Sequence, residues 1–277
     1  MTKITGKRVL ITGGALGIGK LMGASCLQKG ASDLIIWDVN KDALETCTRE
    51  FRALNYKVSP YLVDVSSVDQ ILASAEKVLQ DGPVDLLINN AAIVTGMPFH
   101  LQNQTDITKT IQLNVEGVMQ VTRAFLPDMI AQKQGHIVNI SSAAGMMSNP
   151  NMSVYAGSKW AVLGWSESLR IELESLKRNL HVTTVTTGYI DTGMFQGVRS
   201  PLLLPLLKPE PVVVAILKGI EQNKLFVRKP FMVNALTLIK GLLPTRIFDW
   251  FVGSVLGVYR SMDAFKGHLK NNKNNFN

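Results

Sequence analysis

Between residue 8 and about residue 190 the chain alternates short apolar runs with longer segments of helical periodicity. That alternation restricts the fold more than any other feature. The apolar runs are 8–12, 34–37, 58–63, 86–88, 136–140 and 182–186, and helices are predicted near 17–29, 41–53, 66–80, 104–132 and 153–178. Runs that are apolar throughout, rather than at alternate positions, suit strands buried on both faces. Such strands joined through helices form a parallel sheet, and right-handed crossovers wind it in both directions. The expected fold is α/β: a doubly wound parallel sheet with helices on both faces. No internal repeat and no Gly/Ser-rich linker interrupts the pattern, so a single domain is expected.

Composition narrows the class. The chain has 277 residues, 46% of them hydrophobic, which is ample for a buried core. Two cysteines, Cys26 and Cys47, exclude a disulfide scaffold, and the four histidines cluster nowhere in the sequence, so no metal site is expected. The first ten residues hold no apolar run of signal-peptide length. No stretch reaches the roughly 18 uncharged apolar residues of a bilayer-spanning helix. A cytoplasmic, reducing location is therefore expected. The net charge of +8 is uneven: residues 1–195 carry 17 Lys/Arg and 17 Asp/Glu, while residues 196–277 carry 12 and 4. Basicity confined to one third, without interleaved aromatics, argues against nucleic acid as a partner. It suits a local surface that meets anions such as lipid headgroups.

The first apolar run leads into Thr12-Gly13-Gly14-Ala15-Leu16-Gly17-Ile18-Gly19, followed by a helical pattern. Gly13, Gly17 and Gly19 permit a tight turn and close backbone approach to a pyrophosphate. Ile18 falls in the first helical turn, where free N–H groups and the positive dipole end attract anions. A strand before and a helix after make this a dinucleotide site in a Rossmann-type sheet. Asp38 ends the second strand, 19 residues beyond Gly19, near the spacing of an acid that binds the adenosine ribose. Its charge repels a 2′-phosphate and the next basic residue is only Lys41, which favours NAD over NADP. The plain alternative for Asp38 is a helix cap or a solvated strand end.

Tyr155 and Lys159 stand four apart, on one face of a predicted helix. A phenol with a pKa of about 10 is a poor base at neutral pH, and a neighbouring ammonium stabilises the phenolate. Ser142 lies thirteen residues before Tyr155, at the end of the 136–140 strand.

With these residues assembled, the chain resembles the short-chain dehydrogenase/reductase family. The Gly13–Gly19 turn, Asn89-Asn90-Ala91, Ser142, Tyr155 and Lys159 occur in the family's order and spacing, over roughly residues 6–230. The resemblance implies that Tyr155 is the general acid/base and that Lys159 holds the nicotinamide ribose and lowers the tyrosine pKa. It implies that Ser142 steadies the substrate oxygen and that Asn114 holds a water of the proton relay. Asp64 would meet the adenine, Asn90 would stiffen the central sheet, and the Ile190 backbone and Thr192 would meet the carboxamide. A homodimer or homotetramer is implied as well. Two departures stand out: Thr187-Gly188 replaces the family's usual Pro-Gly, which loosens a preset backbone angle, and Ala92 stands where glycine is common.

Residues 188–267 are similar to a narrower group, the retinol and 17β-hydroxysteroid dehydrogenases of membranes and lipid droplets. Thr192-Gly193-Met194-Phe195, Leu242-Leu243-Pro244 and Ser261-Met262-Asp263-Ala264-Phe265 carry that similarity. The N-terminal hydrophobic anchor usual in that group has no counterpart in this sequence. A small lipophilic substrate is thereby implied: an alcohol or carbonyl of retinoid, steroid or long-chain type. The alternatives are a reductase of small or acyl ketones and a non-catalytic dinucleotide-binding protein at membranes. The chain thus divides into a catalytic part, 1–230, and a helical extension of the same domain, 231–277, whose tail from 270 is polar and expected to fray. Helices are predicted over 231–243, with Asn234, Thr237 and Lys240 on a polar stripe, and over 245–262, with a narrow polar stripe in a largely apolar surround. Helices this apolar pack over the pocket or a dimer partner, or lie in a membrane interface, so peripheral membrane contact through 231–262 is also expected.

Overall fold

The structure, a computed structural model, describes residues 1–267, so the tail expected to fray lies outside the described residues. Seven strands form one parallel sheet. They are β1 (Arg8–Thr12), β2 (Asp33–Asp38), β3 (Val58–Leu62), β4 (Leu86–Asn89), β5 (Gln134–Ile140), β6 (Asn179–Thr187) and β7 (Phe226–Lys229), in the order β3-β2-β1-β4-β5-β6-β7. Successive residues of a strand point to opposite faces, and here both faces are covered. Ile11, Leu34 and Ile36 enter one core with residues of α1 (Gly17–Gln28), α2 (Lys41–Ala53) and α7 (Pro209–Glu221). Leu10, Ile35 and Trp37 enter the other, against α3 (Val68–Gln80), α5 (Val118–Ala131) and α6 (Ser153–Ser175). This two-sided burial is why the strands read as unbroken apolar runs.

β7 and α7 escaped the sequence reading. β7 is a short edge strand whose Arg228 and Lys229 mask its apolar character; charge at a sheet edge also discourages unwanted pairing. The helix expected over 104–132 is divided into α4 (Gln104–Ile111), a π turn (Gln112–Gly117) and α5. The histidines, scattered in sequence, include a pair: β5 and β6 set His136 beside His181, ring centroids 5.5 Å apart. Burial, and then His181, push His136 down to about 3, so it is neutral at ordinary pH.

The C-terminal extension is a cap. It comprises α8 (Met232–Leu242), α9 (Thr245–Trp250) and a π turn (Phe251–Val255). The single helix expected over 245–262 stops there, because Gly257 adopts a left-handed φ of 72° that ends it. Val233, Phe248, Val252, Leu256 and Val258 form a small core with Met146, Met147 and Leu204. Two residues of the polar stripe of α8 turn, half-buried, towards the body of the protein: Lys240 Nζ donates to Met146 O (2.9 Å) and lies 4.3 Å from the Trp160 ring centroid. Thr237 likewise reaches Met146 Sδ. The outer face is left to Leu238, Leu242, Ile247, Trp250 and Val255, all exposed. Among the described residues no helix is long and apolar enough to cross a membrane.

Candidate active site

The strand order reverses between β1 and β4, and a cleft opens at the carboxyl ends of those strands, where doubly wound sheets bind ligands. Gly13, leaving β1 with φ 62°, is in a conformation that favours glycine, and a Cβ there would stand 3.0 Å from the Ala91 backbone. Asn90 at the end of β4 stitches the two sides together, donating from Nδ2 to Thr12 O (3.0 Å) and Gly13 O (2.9 Å). The start of α1 differs from its neighbours. Asn40 caps α2 and Ser67 caps α3, whereas α1 has no side-chain cap and no acid in its first turn. Its first N–H groups are therefore available to an anion.

Gly13, Gly17, Ile18 and Asn90 line this cleft, and Ser142, Tyr155, Lys159, Ile190 and Thr192 line it too. The structure thus brings together nine residues that sequence reasoning singled out from five separate segments. Gly19, Asp38, Asp64 and Asn114 do not line it. Gly19 lies behind the turn, where a Cβ would collide with Gly13 O. Asp38 is buried beside it and accepts from Ala15 N and Asn40 N, both at 3.0 Å. It is neither the cap of α2, which is Asn40, nor a solvated strand end, and each carboxylate oxygen retains a further lone pair. Asp64 accepts from Ser66 N (2.9 Å) and Ser66 Oγ (2.6 Å) and holds the turn after β3.

Tyr155 and Lys159 occupy the first turns of α6, and both side chains are buried. Lys159 Nζ donates to Ile140 O (2.9 Å) and lies 5.7 Å from the Tyr155 ring centroid. Burial pushes the Tyr155 phenol up to about 12; the Ser142 hydroxyl beside it opposes this, and Tyr189 adds to it. The lysine, expected to lower the phenol, is absent from those causes, and burial brings Lys159 itself down to about 8. Ser142 opens the short turn Ala143–Gly145. A Cβ on Gly145 would meet Lys159 O at 2.7 Å and Ser141 Oγ at 2.9 Å, so glycine sets the close approach of this turn to α6.

Asn114 is fully buried in the π turn. Its Oδ1 accepts from Ile93 N (2.9 Å), and its Nδ2 donates to Ile93 O (2.9 Å) and Ser158 Oγ (3.1 Å). It fastens the loop after β4 to the helix that carries Tyr155. The sheet interior has its own polar ladder, which sequence reasoning missed. Asn89 Nδ2 donates to Thr122 Oγ1 and Asn139 Oδ1, and Asn139 Nδ2 to Ser166 Oγ, each at 2.9 Å. Asn89 thus braces the sheet interior, and Asn90 ties the end of β4 to Thr12 of β1 and to the glycine turn. The missing proline at 187 has a substitute as well: Thr187 pairs with Lys229 of β7, and Gly188 N donates to Lys229 O (2.8 Å). Ser142 also borders a second, largely apolar chamber walled by Met147, Met152, Leu204 and Val258.

Residues 7–202 match the family model for short chain dehydrogenase. The chain belongs to the short-chain dehydrogenase/reductase family. It is 36% identical to epidermal retinol dehydrogenase 2 of Mus musculus, covering 96% of this chain and 87% of the relative. It is 37% identical to estradiol 17-beta-dehydrogenase 11 of Homo sapiens, with coverage of 88% and 81%. Among solved structures, a short chain dehydrogenase/reductase from Burkholderia phymatum in complex with NAD superposes with a TM-score of 0.80 at 25% identity, covering 87% of this chain and 95% of that one. A short-chain dehydrogenase from Sphingobium yanoikuyae in complex with NADPH gives 0.76 at 26% identity, covering 85% and 93%. As a short-chain dehydrogenase, the protein is an oxidoreductase that acts on CH–OH groups.

Proposed function

We propose that this dehydrogenase interconverts an alcohol and a carbonyl on a lipophilic substrate with NAD(H) as its cofactor. The observation that carries the reading is the meeting of Ser142, Tyr155 and Lys159 on the same cleft as the uncapped start of α1. The cleft fits a dinucleotide. Open N–H groups of α1 suit its pyrophosphate, and Ile190 and Thr192 suit its carboxamide. Asp38 suits a ribose that lacks a 2′-phosphate, which favours NAD. When bound, the nicotinamide supplies or accepts the hydride. Tyr155 passes the proton to or from the substrate oxygen, Ser142 steadies that oxygen, and Lys159 holds the ribose and provides positive charge. A water held near Asn114 refills the proton through Lys159.

The apolar chamber beyond Ser142 supports a lipophilic substrate of the kinds named in the two relatives, retinoid or steroid, or a long-chain alcohol. The bare outer face of the cap supports a second element of the reading: reversible attachment of the cap to anionic membranes, from which such substrates partition. Trp250 is 62% and Leu242 72% exposed, while Thr237 and Lys240 of α8 turn towards Met146. The test is turnover with NAD and with NADP against retinols, steroid alcohols and medium-chain alcohols. Oxidation of at least one lipophilic class with higher kcat/KM for NAD is expected. Turnover restricted to small ketones, or a preference for NADP, overturns the corresponding part.

A further inference from the structure

Ser142 stands on a short turn whose backbone is bonded into one unit. Its Oγ accepts from Ala144 N (3.1 Å), its carbonyl accepts from Gly145 N (2.9 Å), and Ala143 O accepts from Met146 N and Met147 N, both at 3.0 Å. One side of the turn rests on α6: Ser141 Oγ donates to Lys159 O (2.9 Å), and Gly145 has no room there for a side chain. The Ser142 hydroxyl stands beside the Tyr155 phenol. The far end of the turn is the Met146 carbonyl. Met146 is buried, and among the described residues Lys240 Nζ is the one donor to its oxygen, at 2.9 Å. A buried carbonyl without a donor is costly, so the lysine fixes where this end of the turn can lie.

Lys240 comes from α8 of the cap, 94 residues away in sequence. It forms no ion pair with a carboxylate among the described residues. Its second contact is the face of Trp160, 4.3 Å from the ring centroid, and Trp160 follows Lys159 on α6. An ammonium bonds a carbonyl more strongly than a neutral donor does, and the indole face attracts it as well. One charged group therefore touches both the turn that carries Ser142 and the helix that carries Tyr155 and Lys159. It lines neither the cofactor cleft nor the apolar chamber, so any influence on the chemistry passes through those two elements. Thr237, one turn earlier on the same face of α8, meets only the Met146 side chain, at Sδ (3.6 Å).

We propose that Lys240 is a positioning residue for the reaction: from the cap, it clamps the Ser142 turn against α6 and so keeps the serine hydroxyl in register with Tyr155. This rests on the alcohol–carbonyl reading above and deepens it. The cap then acts on the reacting centre itself and not only on the chamber it closes.

The test compares three variants of the full chain. Lys240→Met keeps the apolar stem and removes charge and donor; Lys240→Arg keeps both; Thr237→Val removes the neighbouring polar contact and leaves Lys240 in place. Two readouts are taken. One is steady-state oxidation of a retinol, a steroid alcohol and a medium-chain alcohol with NAD. The other is hydrogen exchange of the Gly145, Met146 and Met147 amides, followed by mass spectrometry without substrate. In Lys240→Met, kcat falls by about tenfold for every alcohol oxidised while KM stays near wild type, because a displaced Ser142 supports the transition state less and binding is untouched. The turn amides exchange about tenfold faster, since the turn opens more often. Lys240→Arg recovers most of both losses, and Thr237→Val stays near wild type. An unchanged kcat in folded Lys240→Met, or a rise in KM alone, overturns the proposal. So does an Arg variant no better than the Met variant, an equal loss in Thr237→Val, or unchanged exchange of the turn. Should Lys240→Met fail to fold, Lys240→Gln, whose shorter side chain ends before Met146 O, is read by the same criteria. If the wild-type protein oxidises none of the alcohols, the alcohol–carbonyl reading fails, while the exchange comparison still decides whether Lys240 holds the turn.

Discussion

In the sheet, Leu10 and Ile11 are adjacent, enter opposite cores and are both fully buried; in the cap, Phe248 and Trp250 lie two residues apart, and one is 3% exposed while the other is 62% exposed. The sheet residues have helices on both sides and nowhere polar to go. The cap residues have a core on one side only, and that core is small. Apolar character is therefore structural throughout the sheet, whereas in the cap it has two roles: closing the chamber and presenting an apolar outer face.

The sharpest test of the sheet-borne site is Tyr155→Phe, which removes the proton-transfer group and little volume. A loss in kcat of roughly 10²–10⁴-fold is expected, with NADH binding nearly unchanged by titration. Retention of more than about a tenth of the rate would show that another group moves the proton. The same site predicts a pH profile. A phenol pushed up to about 12 is neutral at pH 7 and donates a proton, so carbonyl reduction proceeds there, while alcohol oxidation gains as pH rises and more phenolate forms. With Lys159 brought down to about 8, its ammonium is lost above that pH, and the reduction rate declines.

A pair of substitutions separates the two faces of the cap. Phe248→Ala opens a hole in the cap core and is expected to cost about 3–5 kcal/mol, read by urea unfolding or by earlier proteolysis of the cap. Trp250→Ala should stay within about 0.5 kcal/mol. Equal losses would mean that the outer face is covered in solution. At the cofactor end of the sheet, Asp38→Asn removes the charge but keeps only one of the two oxygens that accept from Ala15 N and Asn40 N, so Tm is measured beside the kinetics. The NAD-over-NADP ratio of kcat/KM should fall by about tenfold or more, because the carboxylate no longer repels the 2′-phosphate.

The smallest expected effect concerns the outer face alone. The protein should sediment with anionic liposomes at low salt and be released by added salt, since each basic residue near such a surface contributes about 1 kcal/mol. Leu242→Ser with Trp250→Ser should weaken sedimentation severalfold while leaving Tm nearly unchanged. A wild-type protein that remains in the supernatant would leave the apolar face to a protein contact.

Much of the site was legible because its residues depend on local geometry. Gly13 follows a strand and needs a left-handed turn; Tyr155 and Lys159 share a helix face through the helical period; Ser142 ends a strand. Each is a short-range relation that one segment displays. Asn89 and Asn90 were harder to separate, because neighbours in sequence took different partners, one across the sheet and one across the glycine turn. β7 was concealed by its charges, and the break at Gly257 by an otherwise continuous apolar pattern.

Periodicity, glycine placement and residue spacing by themselves determined the α/β sheet and the glycine turn at the head of the cleft, since each follows from backbone sterics and burial within a single segment; that Asn90, Ser142, Ile190 and Thr192 also line the cleft was legible only through the family resemblance. Tertiary structure alone decided which side of the cap faces inward. On a helical wheel Asn234, Thr237 and Lys240 form the polar and therefore outer stripe of α8, yet Lys240 finds a buried carbonyl at Met146 and an aromatic face at Trp160, both far away in sequence. A polar group takes the inner side when the fold supplies partners there. Those partners exist only once distant segments have met.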